Sequence, residues 1–168
     1  MPAVVAMIAG ITDWRSRRIP NWLTAPSLAI GIAVNTWLQG WAGTKASLLG
    51  AGLGLLLLLP FVLIRSLGAG DWKLVGALGA FLGPQALLTV LFAALLVAGA
   101  MALILVIWKG RLIRTLRNMG CMLAAFVTFH LPGKELTLDD PQAAKVPFGV
   151  AVAVAVLFYT AGEIWRVS

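Results

Sequence analysis

The chain has 168 residues, of which 61% are hydrophobic and 11% are charged, and its formal net charge is +7. Soluble domains have ~45–50% apolar and ~25% charged residues, so this composition excludes an ordinary soluble domain. We therefore expect residues 1–168 to form one integral membrane domain. It should be all-α, because helices satisfy their own backbone hydrogen bonds in lipid. The apolar runs are continuous and do not alternate as the strands of a membrane barrel do.

The hydrophobic runs predict about six transmembrane segments. The first, residues 1–12, is shorter than the roughly 20 residues of a full crossing, so it must continue past Asp13, lie tilted or lack residues at its start. Gly43 and Thr44 should turn the chain between the second and third segments. The later segments are expected at about 22–41, 46–64, 72–82, 86–107 and 148–165, with Gly83-Pro84 ending the half-length fourth one.

Basic residues predict the orientation. Eleven of the 13 Lys and Arg residues fall in three expected loops, at about 13–21, 65–73 and 109–147, and only Lys45 and Arg166 fall on the other side. Because Lys and Arg concentrate on the cytoplasmic side, these loops should face the cytoplasm of a plasma (inner) membrane protein. The same charges should contact anionic lipid headgroups. No aromatic and basic platform indicates a nucleic-acid partner, and the oligomeric state stays open.

The chain has one cysteine, Cys121, and one histidine, His130, which limits the kinds of metal site it can form. One cysteine excludes a disulfide framework and a cysteine-based zinc site, and one histidine excludes a His-rich site. We therefore expect no metal and no cofactor. The two residues are nine positions apart, and the serines have no histidine nearby in sequence, so a nucleophile activated by histidine is not indicated.

The stretch Gly68-Ala69-Gly70-Asp71 carries an acid beside strongly apolar sequence. An acid in such a position indicates a functional site. Glycines at 68 and 70 allow unusual backbone angles and let another backbone come close to Asp71. The alternative is a glycine-rich turn with a solvated Asp at a helix start.

A second acid, Asp13, is expected at the same membrane face as Asp71. Two carboxylates a few ångström apart in a poorly solvated site cannot both ionise, so one would remain protonated. Such a pair supplies a general base that activates water and a general acid that protonates a carbonyl oxygen.

Three stretches resemble the landmarks of the prepilin peptidases, membrane aspartyl proteases of the GxGD type. They occur in the expected order and are Asp13 with Arg18-Ile19-Pro20-Asn21, then Gly68 to Leu74, then Lys145-Val146-Pro147-Phe148-Gly149. The compact size is most similar to the short Flp/Tad-type or archaeal-type enzymes. The resemblance implies removal of a short basic leader, usually just after a Gly, from type IV pilin-like precursors at the cytoplasmic face.

By the same resemblance, Asp13 and Asp71 would be catalytic, and Gly68 and Gly70 would shape the peptide-binding loop. The larger members also carry a cysteine-rich zinc domain and N-methylate the new terminus. Here the loop between the first two segments is short and lacks cysteine, which argues against methyl transfer.

Other polar residues have two interpretations each. Lys73 could pair with a carboxylate or a lipid phosphate, or contribute to substrate binding. Lys145 and Phe148 could line the substrate groove or pack at a helix entry. The acids Glu135, Asp139 and Asp140 are expected to be solvated, although they could attract a basic leader. The alternative function is a small transporter or channel that relays protons or cations through Asp13 and Asp71, although transporters place such sites at the midplane.

Overall fold

A computed structural model describes residues 1–16, 19–63, 67–108 and 148–167. These residues form four helices: α1 (Pro2–Ser16), α2 (Asn21–Leu63), α3 (Ala69–Trp108) and α4 (Phe148–Val167). Within the described residues, three stretches are long and apolar enough to cross a membrane, namely Asn21–Leu63, Ala69–Leu105 and Phe148–Trp165. The prediction of an all-α membrane protein is confirmed for these residues, whereas the count of about six segments stays a prediction.

Helix α2 reverses direction at Gly40, where the backbone is left-handed (φ 59°, ψ −139°). The Asn35 Nδ2 atom donates to Ser47 Oγ at 2.9 Å, and the two residues are 12 positions apart. In a straight helix that separation would be about 18 Å, so α2 consists of two arms that fold back on each other. The turn predicted at Gly43 and Thr44 is wrong by a few residues. Gly40 makes the turn because glycine adopts positive φ without steric cost.

Helix α3 breaks at Gly83-Pro84, as the sequence predicts, and Gly83 has φ 75° and ψ 176°. Pro84 has no N–H, so the carbonyl of Ala80 loses its usual helical donor. Asn35 Nδ2 and Ser47 Oγ replace that donor, at 2.8 and 2.7 Å from the Ala80 oxygen. The two arms of α2 are thus joined to α3 at the point where α3 is interrupted.

Glycines allow α2 and α3 to pack closely. A Cβ at Gly50 would fall on the carbonyl oxygen of Gly79, and a Cβ at Gly79 would fall on that of Gly50. Such close backbone approach at small residues is the usual way that helices associate in membranes. The crossing fixes the first arm of α3, which begins at the candidate site, against the second arm of α2.

Helix α4 lies between α1 and α3. Val152 and Val156 of α4 are fully buried together with Leu74 and Leu78 of α3. On its other side, α4 approaches α1 closely, because a Cβ at Gly10 would lie 2.8 Å from the Cβ of Ala153. The start of α4 is therefore held beside the end of α1.

Candidate active site

Asp71 lies in the first turn of α3, and Gly68 caps that helix. The backbone N–H of Trp72 donates to the Gly68 oxygen at 3.2 Å, which is the first hydrogen bond of the helix. In return, the Asp71 carboxylate accepts a hydrogen bond from the backbone N–H of Gly68. A side chain at the third helical position that reaches back to the cap is half of a capping box. The spacing of Gly68 and Asp71 thus follows from the geometry of a helix start.

This capping contact uses only part of the Asp71 side chain. Asp71 is half-buried, and its Oδ1 atom is buried with no hydrogen-bond partner among the described residues. A buried polar atom without a partner costs free energy, so it calls for an explanation. The simple cap that the sequence offers as an alternative explains the contact with Gly68 and leaves Oδ1 unexplained.

Asp13 lies in the last turn of α1 and is only 6% exposed. Its Oδ2 atom accepts a hydrogen bond of 2.8 Å from the backbone N–H of Gly149, in the first turn of α4. A Cβ at Gly149 would lie 2.9 Å from this same Oδ2 atom, closer than real Cβ contacts. Only glycine at 149 therefore lets the N–H reach the carboxylate.

Asp13 and Asp71 come from different helices and face the same site. The charge of Asp13 acts on the Asp71 carboxylate, so the two groups are electrostatically coupled. Neighbouring carboxyl groups in a poorly solvated site share a proton, which provides one acid and one base. Both acids lie on helix ends, although their positions at 13 and 71 fall in the ranges expected to be loops.

Gly70 lies two residues after the capping Gly68, and its backbone has ordinary helical geometry. The positive φ angles in the described part of the chain occur at Gly40 and Gly83, so the expectation of unusual angles at 68 and 70 is wrong. A close backbone approach does exist at Gly70, where an added Cβ would lie 3.1 Å from the Ile19 oxygen and 3.2 Å from its nitrogen. The neighbour is thus the chain's own segment between α1 and α2.

The other predicted residues have mixed outcomes. Lys73 Nζ donates to Asn21 Oδ1 at 3.0 Å, which joins the starts of α2 and α3. Phe148 opens α4 and packs against the buried core, next to the glycine that contacts Asp13. Lys145, Glu135, Asp139 and Asp140 lie outside the described residues. The described residues contain no group of three His, Cys, Asp or Glu side chains that could hold a metal ion.

Two contact residues were not predicted. Gly149 and Ile19 were each expected only as part of a motif in the family resemblance. The available signal was a glycine within the first turn of a helix at 148, where its N–H is free of helical bonding. Since 136 positions separate Gly149 from Asp13, nothing local in the sequence pairs them.

Comparison with known proteins gives one family. Residues 2–104 match the Type IV leader peptidase family. Proteins of Burkholderia pseudomallei strains 1026b and K96243, each named "Prepilin leader peptidase/N-methyltransferase", are 39% identical over 117 residues. The match covers 66% of this chain and 37% of each relative, so the chain spans just over a third of their length. No solved structure matches the chain.

Proposed function

Because this chain belongs to the type IV leader peptidase family, we propose that it is a membrane-embedded aspartyl endopeptidase that removes the leader from type IV pilin-like precursors. The observation that carries the proposal is the coupled pair Asp13 and Asp71, brought together from the end of α1 and the start of α3. Both residues lie within the matched range.

The chemistry needs one ionised and one protonated carboxyl group. The ionised group takes a proton from water, and the resulting hydroxide attacks the scissile carbonyl carbon. The protonated group gives its proton to the carbonyl oxygen and so stabilises the tetrahedral intermediate. The Oδ1 atom of Asp71 supports this mechanism, because it is buried with no hydrogen-bond partner among the described residues and could carry the proton that the acid must supply.

The reaction would take place at the cytoplasmic membrane face, where the basic loops are expected. Gly68 and Gly70 would shape the surface beside Asp71, with Lys73, Phe148 and Lys145 contributing to substrate binding. The acids of 109–147 would attract the basic leader at long range, an effect that salt weakens. The relatives' names include methyl transfer, but the proposal covers peptide cleavage alone.

The test is cleavage of a leader-bearing precursor by the detergent-purified protein. Asp13→Asn and Asp71→Asn should each abolish cleavage, because an amide can neither accept nor supply the proton. Both variants should fold, since each removes an ionisable group from a poorly solvated place.

Glu163→Gln is the control, because Glu163 is an exposed acid near the end of α4 and should be dispensable. The dyad is misassigned if either Asn variant, equally well folded, cleaves at the wild-type rate. The mass of the product would also report whether its new amino terminus is methylated.

A further inference from the structure

We propose that the two acids have fixed and different roles, with Asp13 as the base and Asp71 as the proton donor, and that Gly149 is the positioning residue that keeps Asp13 ionised. This inference rests on the proposed peptidase function. It adds α4, which lies beyond the family match at residues 2–104, to the working parts of the site.

The argument for Asp13 begins with its hydrogen bond. The N–H of Gly149 donates to Oδ2 at 2.8 Å in a buried place, and a bond from an N–H favours the carboxylate over the protonated acid. Gly149 is in the first turn of α4, where the free N–H groups and the helix dipole attract negative charge. The carboxylate is therefore both oriented and kept in the form that accepts a proton from water.

Asp71 also lies in the first turn of a helix and also accepts one N–H bond, so the helix dipole does not distinguish the two acids. The distinction is the second oxygen of Asp71, which is buried and unpartnered within the described residues. An ionised oxygen without a partner is more costly to bury than a neutral hydroxyl. With Asp13 already charged nearby, the shared proton belongs on Asp71.

Among the described residues, charged side chains occur on each of the helices around Asp13. On α3 these are Asp71 itself and Lys73, whose ammonium group bonds to Asn21 at the start of α2. On α4 the acid Glu163 lies at the opposite end of the helix, and on α2 Lys45 lies on the second arm. Arg15 is exposed at the end of α1 itself.

The proton balance closes over one turnover. Asp13 takes a proton from water as the C–O bond forms, and Asp71 gives its proton to the carbonyl oxygen, which yields a neutral diol. As the C–N bond breaks, Asp13 gives its proton to the leaving amine and Asp71 takes one back from a diol hydroxyl. Both acids return to their starting states, and no further reactant is needed.

The first experiment removes only the backbone N–H of residue 149, which donates to Asp13. Glycolic acid at position 149 replaces the N–H by an ester oxygen and adds no side chain. Loss of a hydrogen bond to a charged group should lower kcat about 10- to 100-fold. The acid limb of the pH–rate profile should move to higher pH, because the base is then protonated more easily.

If only the alkaline limb of the pH–rate profile moves, Asp13 is the proton donor. If the profile is unchanged, Gly149 has no part in the mechanism. Either result overturns the proposal. Gly149→Ala is a second variant and should shift the same limb, because its Cβ displaces the Asp13 carboxylate. Gly162→Ala is the matched control in α4, since a Cβ there meets nothing within 4 Å.

A second measurement needs no substrate. The infrared C=O stretch of a protonated carboxyl group should be present in the wild-type protein at neutral pH and absent from Asp71→Asn. A band that persists in Asp71→Asn would put the proton on Asp13 and overturn the assignment, as would a wild-type spectrum without the band. A protein with the expected spectra that cleaves no precursor would contradict the proposed function and leave the protonation states standing.

Discussion

Gly70 shows how a single missing Cβ sets the geometry of the site. The backbone of Ile19 passes so close to it that a Cβ would lie 3.1 Å from the Ile19 Cβ and oxygen. Ile19 is buried and belongs to the connection that follows α1 and leads into α2. Gly70 therefore fixes how near the connection after Asp13 comes to the turn that holds Asp71.

We predict that Gly70→Val lowers cleavage per folded molecule by roughly 100-fold, because displacements of about 1 Å have effects of that size on catalysis. The branched side chain would push Ile19 away and separate the elements that hold the two acids. The measurement is kcat for precursor cleavage, normalised to folded protein.

Gly99→Val is the matched control, since Gly99 lies in the same helix and a Cβ there meets nothing within 4 Å. Both variants make the same replacement of glycine by valine within α3, so the contact with Ile19 is the difference that the comparison tests. Equal turnover in the two variants would show that this contact does not set the distance between the acids.

The sequence singles out the two candidate acids more clearly than the residues around them. Asp13 and Asp71 stand out because acids are few and both lie beside apolar segments. The capping contact between Gly68 and Asp71 could also be predicted from the sequence, because it spans only one helical turn. The hydrogen bond between Asp13 and Gly149 could not be predicted in this way, since it depends on how α1 and α4 pack.

At the scale of helices, the crossing of α2 and α3 depends on Gly50. An added Cβ would fall on the Gly79 carbonyl oxygen and would lie 2.9 Å from the carbonyl carbon of Gly83. Neither atom belongs to a flexible side chain, so the helices themselves would have to separate. The glycines at 50 and 79 therefore keep the first arm of α3 in place.

We predict that Gly50→Ala lowers the free energy of unfolding by about 1–3 kcal/mol or more, the usual cost of overpacking a tight site. Gly52→Ala is the control two residues away, because a Cβ at 52 meets nothing within 4 Å. That change should be neutral or slightly stabilising. Unfolding in a denaturing detergent measures both, and similar midpoints for the two variants would contradict the crossing.

The helix boundaries were predictable to different degrees. Gly83-Pro84 ends a segment in sequence and interrupts α3 in the structure, because proline removes a backbone donor wherever it occurs. The turn in α2 was misassigned to Gly43 and Thr44. Several glycines and polar residues lie close together there, and the bond between Asn35 and Ser47 that fixes the turn is a contact between the two arms.

At the scale of the whole molecule, the distribution of positive charge predicts a cytoplasmic site. In a Cys121→Ser background, Lys45→Cys should react with a membrane-impermeant maleimide added to intact cells. Ser16→Cys should react only after the cells are permeabilised. Both side chains are exposed in the structure, so burial does not limit the reaction. The reverse labelling pattern would put the two acids outside the cytoplasm.

The hydrogen bond between Asp13 and Gly149 also has a consequence for biosynthesis. A ribosome makes Asp13 and Asp71 before Gly149, which follows Asp13 by 136 positions. Until α4 has entered the membrane and docked beside α1, the carboxylate of Asp13 lacks the donor that orients it. A nascent chain would therefore carry both acids without the arrangement proposed for catalysis, and the proposed activity would arise only after α4 is in place.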